Sequence, residues 1–155
     1  YLDRGINVAL GNDGPPCNNT LDAFTEMRQA SLLQKVDQLD PTATPAGEIF
    51  EMATVNGAKA AGFDELGAIR EGWRADIIGL STDLTRATPL HDVLSHLVFA
   101  AHGDDVQFTM VDGTVLQKDG VVTSIDAESV RREASEIGLD MDLEEARESA
   151  RKQKP

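Results

Sequence analysis

The sequence is poor in the residues that build disulfide frameworks, zinc clusters and membrane spans. Its 155 residues include one cysteine, Cys17, which excludes an internal disulfide framework and a multi-cysteine zinc site. No stretch approaches the ~20 consecutive apolar residues that a membrane-spanning helix needs, and no signal pattern opens the chain. We therefore expect a cytoplasmic protein in a reducing compartment, with no membrane as its partner.

Positive charge is also scarce. The chain has 14 Lys and Arg residues against 27 Asp and Glu residues, which gives a net charge of −13. A surface this acidic repels nucleic acids and anionic membranes, so neither is expected as a partner. The surplus of carboxylates over lysines is typical of a halophilic protein and is equally compatible with an ordinary acidic cytosolic protein.

The histidine motifs of a complete metal site are missing as well. His91, His96 and His102 form no His-x-His pair, no His-Glu-x-x-His motif and no Cys/His cluster. His91 and His96 are five residues apart on a predicted helix, which places them on poorly matched faces. His102 precedes a glycine and is a candidate helix C-cap. We interpret all three as structural or solvent-exposed residues.

The first 36 residues have the pattern of one β/α unit. Residues 5–10 form a short, mostly apolar run that predicts a buried strand. Two glycines and two prolines among residues 11–16 then predict a tight turn. Over residues 21–36 the spacing of the apolar positions predicts a helix, with Asn19 or Thr20 as its N-cap. These apolar positions are Leu21, Phe24, Met27, Leu32 and Val36.

The rest of the chain predicts a second helix, a small meander and a charged helix. Thr44 and Pro45 open a helix that closes at Gly62. A short strand and turn are predicted over residues 67–72, a strand over residues 75–80 and a helix over residues 90–101. Runs at residues 106–111, 114–118 and 121–123 are joined by Asp-Gly pairs, which are strong hairpin signals. A charged helix capped by Asp126 follows.

Asp13 is the candidate catalytic residue, because it follows the first predicted strand. In α/β folds, metals and ligands bind at the carboxyl ends of strands. A carboxylate there can ligate a divalent metal or accept a proton from bound water. The alternative is an aspartate that only makes turn hydrogen bonds. Asn18 and Asn19 can bind a polar substrate or cap the following helix, and Cys17 is interpreted as a small packing residue.

Several motifs occur in the order found in one enzyme family. Residues 5–28, GINVALGNDGPPCNNTLDAFTEMR, resemble the last barrel strand and following helix of the amidohydrolase superfamily. Within that superfamily, the resemblance is to triazine chlorohydrolases and to adenosine-type deaminases that act on methylthioadenosine or S-adenosylhomocysteine. Residues 52–62, MATVNGAKAAG, resemble the family's next helix. Residues 67–76, GAIREGWRAD, resemble the segment that re-enters the family's small β-sandwich. Residues 88–92 and 110–113 also fit.

The resemblance implies a metal-dependent hydrolase with one divalent ion, zinc foremost, with iron or manganese as alternatives. Asp13 matches the family's aspartate after the last strand, which ligates the metal and helps to deprotonate the attacking water. The implied reaction displaces ammonia, an amine or chloride from a purine-, pyrimidine- or triazine-type ring. Asn18 and Asn19 fit the motif as substrate-binding residues, and capping explains them equally well.

The departures from the family define the fold that we expect. The family's other metal-binding histidines and its catalytic glutamate have no counterpart here, and a full (β/α)₈ barrel needs ~250 residues. We therefore expect an α/β fold with three parts. Residues 1–62 form the terminal β/α unit and next helix of a barrel, residues 63–125 the C-terminal strands of a small β-sandwich, and residues 126–155 a charged helix with a frayed tail.

This incomplete fold predicts how the isolated chain behaves. One carboxylate does not hold a catalytic metal, so we expect the chain alone to be inactive. It should expose a strand edge and apolar helix faces, which predicts homo-oligomers or pairing with the missing barrel portion. The alternative function is a non-catalytic structural or interaction module, or one part of a split enzyme.

Overall fold

The computed structural model describes the backbone of residues 1–152 and the side chains of residues 1–143. The chain divides into two compact units, Tyr1–Val121 and Val122–Pro155. The helices are α1 (Pro15–Asn18), α2 (Ala23–Gln38), α3 (Ala46–Ala53), α4 (Val55–Ala60), α5 (Val93–Phe99) and α6 (Ala127–Lys152). The strands are β1 (Ile77–Leu80), β2 (Val106–Val111), β3 (Thr114–Lys118) and β4 (Val121–Val122).

The core of the first unit lies between α2, α3 and α5. Its buried members are apolar side chains from these helices and one alanine shortly after α5: Phe24, Met27, Ile49, Met52, Val98 and Ala101. Burial of such side chains is the main driving force for this packing. The helix predicted over residues 21–36 is thus confirmed, and the one predicted over residues 90–101 is shorter by a few residues at its start.

One face of α2 is not buried as predicted. Leu21, Leu32 and Val36 are 53%, 47% and 71% exposed. Ser31 is buried instead, where its hydroxyl donates to the Thr44 carbonyl at 2.9 Å. The helical period was read correctly, but the described residues supply no element that covers this face.

Residues 5–10 do not form the predicted buried strand. They have no strand partner in the described part of the chain, and Ile6 is 48% exposed. The segment is attached to the following helices by the Leu10 amide, which donates to the Met52 carbonyl at 3.1 Å, and by Asn7 Nδ2, which donates to the Asn56 carbonyl at 3.1 Å. A strand requires a neighbouring backbone to pair with, and the local sequence does not provide one.

The helix predicted over residues 44–62 is broken at Thr54. The Thr54 backbone leaves helical geometry, and its hydroxyl donates to the Phe50 carbonyl at 2.7 Å. Gly67 packs directly against this break, since a Cβ there would lie 2.8 Å from the Thr54 carbonyl. Thr44 does not cap the helix, because Pro45 occupies the N-cap position. Of the short strand and turn predicted over residues 67–72, the turn is present at residues 71–72 and the strand is not.

The four strands form one antiparallel sheet in the order β1-β2-β3-β4. Val111 pairs with Thr114 across Asp112 and Gly113, which have φ of 48° and 77°. Positive φ at both turn residues is the geometry of a type I′ hairpin. The predicted meander is confirmed, and β1 is left at one edge of the sheet.

The second unit is dominated by α6. Asp126 caps its start, accepting a hydrogen bond from the Ser129 amide at 3.0 Å, as predicted. Apolar side chains on this helix are solvent-exposed, with Ile137 57% and Leu143 53% accessible. The end of the predicted helix and tail lies outside the described residues. Among the helices that the structure describes, none combines the length and apolarity needed to span a bilayer.

Candidate functional site

Asp13 lies exposed on the loop of residues 11–20, directly before α1. Its backbone is left-handed, with φ of 59°, a conformation that aspartate tolerates better than most residues. Its Oδ1 accepts a hydrogen bond from the Gly14 amide at 2.8 Å. This is the turn bond expected of an Asp-Gly pair, and it is compatible with a carboxylate that also faces solvent.

The residues after Asp13 form a short helix that the sequence did not predict. Pro15 and Pro16 occupy its first turn, where their missing N–H groups cost nothing. Cys17 is exposed, so its interpretation as a packing residue is wrong. The helix places Asn18 and Asn19 at its end, on the same loop as Asp13.

The two asparagines differ in their environment. Asn18 is half-buried: its Nδ2 donates to Glu26 Oε1 at 2.5 Å, and its Oδ1 accepts from Thr20 Oγ1 at 2.8 Å. Asn19 is exposed, has φ of 71° and follows α1 as its C-cap residue. Neither asparagine caps α2, which excludes the capping alternative at that helix.

Asp22 is the N-cap of α2, in place of the predicted Asn19 or Thr20. It accepts from the Phe24 amide at 2.9 Å, from Thr25 Oγ1 at 3.1 Å and from the Gly103 amide at 3.5 Å. Burial raises the pKa of the Asp22 carboxyl, but these hydrogen bonds lower it by more, so the pKa lies below its ordinary value. Asp22 thereby fastens the end of the Asp13 loop to the turn after α5.

The histidines do not gather around Asp13. His91 is exposed, His96 lies on α5, and His102 is the N-cap of the 3₁₀ turn Gly103–Asp105 rather than a C-cap. Among the described residues, no three His, Cys, Asp or Glu side chains come together in a way that could hold a metal ion.

The chemistry of this loop does not fit a complete metal site. Zinc takes four ligands in proteins, three or more of them from side chains, and here Asp13 offers one carboxylate. Next to it, Asn12 Nδ2 is buried without a hydrogen-bond partner among the described residues. A buried donor left unpaired costs about 1–3 kcal/mol. The described residues thus do not complete a zinc site around Asp13.

Two residues that matter for this loop were missed from the sequence. Asp22 directly precedes α2, and aspartate is as good an N-cap as asparagine, so this signal was available. Glu26 bonds to Asn18 from eight positions away, across a loop and a helix start, and no local pattern indicates that contact.

The sequence model of the amidohydrolase family matches residues 1–116. The chain belongs to the amidohydrolase family. It is 46% identical over 140 residues to the 5'-deoxyadenosine deaminase of Methanococcoides burtonii. This match covers 90% of this chain and 32% of that protein. It is also 46% identical over 135 residues to the 5-methylthioadenosine/S-adenosylhomocysteine deaminase of Haloarcula marismortui, covering 87% of this chain and 31% of that protein.

Solved structures in the same family share the fold of this chain. An adenosine deaminase from Xanthomonas campestris with bound zinc superposes with a TM-score of 0.87 and 31% identity, covering 92% of this chain and 33% of that one. An atrazine chlorohydrolase from Arthrobacter aurescens, complexed with zinc, superposes with a TM-score of 0.73 and 27% identity. The match covers 87% of this chain and 30% of that one. The resemblance to both branches is confirmed, and the chain spans about a third of the length of the relatives it matches.

Proposed function

We propose that this chain is the C-terminal part of a metal-dependent aminohydrolase or chlorohydrolase. The enzyme would hydrolytically displace ammonia, an amine or chloride from a purine-, pyrimidine- or triazine-type ring. The single observation that carries the proposal is the 46% identity to a 5'-deoxyadenosine deaminase across 90% of this chain. It is supported by an exposed carboxylate, Asp13, on a loop beside a helical core.

In this proposal the carboxylate of Asp13 has two roles. Its carboxylate is one oxygen ligand of a divalent ion and the acceptor of a proton from the attacking water. The ion supplies water activation near neutral pH when bound; zinc is our choice because related structures carry it. The remaining ligands would come from residues other than the described ones, since the described residues bring no three candidate ligands together.

Asn18 and Asn19 are proposed to contact the heterocyclic substrate from the same loop. Asn19 is exposed and close in sequence to Asp13. Asn18 uses one N–H and its carbonyl oxygen within the chain, and an amide nitrogen has a second N–H to donate. The two amides thus supply polar groups that can orient a ring with exocyclic nitrogen or oxygen atoms.

The proposed parts of the enzyme follow the three segments defined from the sequence. Residues 1–62 would complete a (β/α)₈ barrel, residues 63–125 would complete a small β-sandwich, and residues 126–155 would form a charged helix and tail. In the complete barrel, residues 5–10 would gain a neighbouring strand. The unpaired Asn12 amide and the exposed α2 face are the features that such a barrel would satisfy.

A chimera tests the proposal. The matching segment of the Methanococcoides burtonii deaminase is replaced by this chain, and ammonia release from 5'-deoxyadenosine and methylthioadenosine is measured together with zinc per chain. We expect measurable deamination and about one zinc ion. A folded chimera that binds zinc through the host's residues but releases no ammonia from either nucleoside contradicts the proposed function.

A second candidate is one part of a split enzyme, or a module without catalysis of its own. The lack of three gathered ligand residues within the described chain favours it. Mixing the chain with a separately expressed N-terminal portion of the same deaminase separates these possibilities. Recovery of metal and activity on mixing supports a split enzyme, whereas binding without activity supports an interaction module.

A further inference from the structure

A short hydrogen bond joins the Asp13 loop to α2. Asn18 Nδ2 donates to Glu26 Oε1 at 2.5 Å, and both residues are half-buried. Hydrogen bonds to an ionised acceptor are shorter and stronger than those between neutral groups. Among residues 1–143, no other side-chain hydrogen bond connects residues 11–20 with α2.

Several residues in and just after the loop have backbone conformations that need support. Asp13, Asn19 and Leu21 all have left-handed backbones, with φ of 59°, 71° and 50°. Non-glycine residues adopt this conformation rarely and keep it only when surrounding contacts impose it. Helix α1 is held by main-chain bonds to the Gly14 and Pro15 carbonyls, but it has only four residues and no side-chain N-cap. A contact from α2 therefore adds to the support that the loop has from within.

Glu26 is well placed to provide such a contact. Its neighbours on α2, Phe24 and Met27, are 6% and 4% exposed and belong to the helical core. The Glu26 backbone is therefore fixed by the packing of α2. On the loop side, Asn18 Oδ1 accepts from the Thr20 amide at 3.3 Å and from Thr20 Oγ1 at 2.8 Å. The Asn18 carboxamide thus links Glu26 to the strained turn that follows α1.

We propose that Glu26 is a positioning residue, which holds Asn18 and thereby fixes the loop on which Asp13 lies. The effect on loop conformation is a property of this chain alone. The effect on catalysis rests on the function proposed above. Glu26 does not contact Asp13, so it acts through Asn18 and the loop backbone.

The conformational part is tested by two-dimensional ¹H–¹⁵N NMR of the full 155-residue chain. Glu26→Gln keeps an acceptor oxygen, whereas Glu26→Met has the same length without one. Glu51→Met on the exposed side of α3 is the control. We expect Glu26→Met to shift the Asn18 side-chain amide and the backbone amides of residues 11–20, with Glu26→Gln close to the wild type. Loop shifts no larger than those of Glu51→Met overturn the inference.

A second variant keeps the inference testable if Glu26→Met does not fold. Asn18→Ala removes the donor from the loop side and leaves α2 intact. It should shift the same loop amides while the signals of Phe24 and Met27 stay in place. Unchanged loop amides in Asn18→Ala also overturn the inference.

The catalytic part uses the chimera described above. Loss of a residue that orients a neighbouring site residue typically costs 10–100-fold in activity or metal affinity. We expect Glu26→Met to lower kcat about 10-fold with KM little changed, and Glu26→Gln to restore most of the rate. An inactive wild-type chimera alongside the expected loop shifts overturns the proposed function and leaves the positioning role standing. An active chimera whose kcat is insensitive to Glu26→Met overturns the positioning role.

Discussion

Arg86 and Asp105 form an ion pair in which the carboxylate is buried and the guanidinium is not. The Asp105 side chain is 1% exposed and that of Arg86 is 41% exposed. Arg86 Nε donates to Asp105 Oδ2 at 3.1 Å, and the His102 amide donates to the same oxygen at 2.9 Å. The pair connects two 3₁₀ turns, Thr85–Ala87 and Gly103–Asp105, one of which is also bound by Asp22.

Removing the cation should therefore destabilise the chain strongly. Arg86→Ala leaves a buried carboxylate without its charged partner, which costs about 3 kcal/mol or more. Arg74→Ala is the control, since Arg74 and Asp112 are 53% and 72% exposed and 3.9 Å apart; exposed pairs contribute about 0–1 kcal/mol. Urea denaturation measures the free energy of unfolding of both variants. Equal losses of stability in Arg86→Ala and Arg74→Ala would contradict a special role for the pair of Arg86 with Asp105.

The lowered pKa of Asp22 predicts a pH dependence of stability. A carboxyl whose pKa is depressed by folding stabilises the fold above its unfolded pKa, and this contribution is lost as the pH falls through the folded value. Asp22→Asn keeps the capping oxygen and removes the charge. The free energy of unfolding of the wild type should exceed that of Asp22→Asn at pH 7, with the difference shrinking below about pH 4.

Asp83→Asn, at an exposed position before the turn Thr85–Ala87, controls for the loss of one negative charge. A wild-type advantage over Asp22→Asn that grows as the pH falls toward 3 has the wrong sign and would contradict the assignment of the Asp22 hydrogen bonds.

The free edge of β1 predicts self-association. Ile78 on this edge strand is 51% exposed, and an apolar cleft beside it is lined by Phe50, Phe63 and Ile69 among others. Exposed edge strands pair with other chains unless a charge blocks them. Ile78→Lys should shift sedimentation toward monomer, whereas Leu39→Lys, at an 89% exposed position at the end of α2, should not. A monomeric wild type at micromolar concentration contradicts this prediction.

The net charge of −13 predicts a salt dependence. Repulsion between surface carboxylates destabilises the compact state and is screened by salt. If the surface is adapted to high salt, the free energy of unfolding should be larger in molar potassium chloride than in dilute buffer. Equal stability in the two buffers ends the halophilic interpretation and favours an ordinary acidic protein.

Sequence patterns predicted the elements whose partners lie nearby in the chain. The Asp112-Gly113 hairpin was predictable because its turn residues and both strands are consecutive. Residues 5–10 were wrongly predicted as a strand, because an apolar run does not indicate whether a neighbouring strand is available for pairing. At the break at Thr54, the backbone of Gly67 approaches closely, a contact between residues 13 positions apart that helical periodicity does not indicate.

The same distinction applies to the candidate site. Asp13, Asn18 and Asn19 lie on one loop because they are close in sequence, and that grouping needed no tertiary information. The bond from Glu26 to Asn18 and the ion pair of Arg86 with Asp105 depend on how helices and turns pack. The roles of Asp13 and the two asparagines stay predictions.

The most direct test of the proposed function is Asp13→Asn in the deaminase chimera. Asparagine tolerates the left-handed backbone of this position, so the variant removes the charge and keeps the loop shape. Asp119→Asn is the matched control, an exposed turn aspartate with φ of 51°. We expect Asp13→Asn to lower the rate of ammonia release about 10²–10⁴-fold and to reduce bound zinc, with Asp119→Asn unaffected. An Asp13→Asn chimera that keeps both its zinc and its rate would contradict the role of this carboxylate.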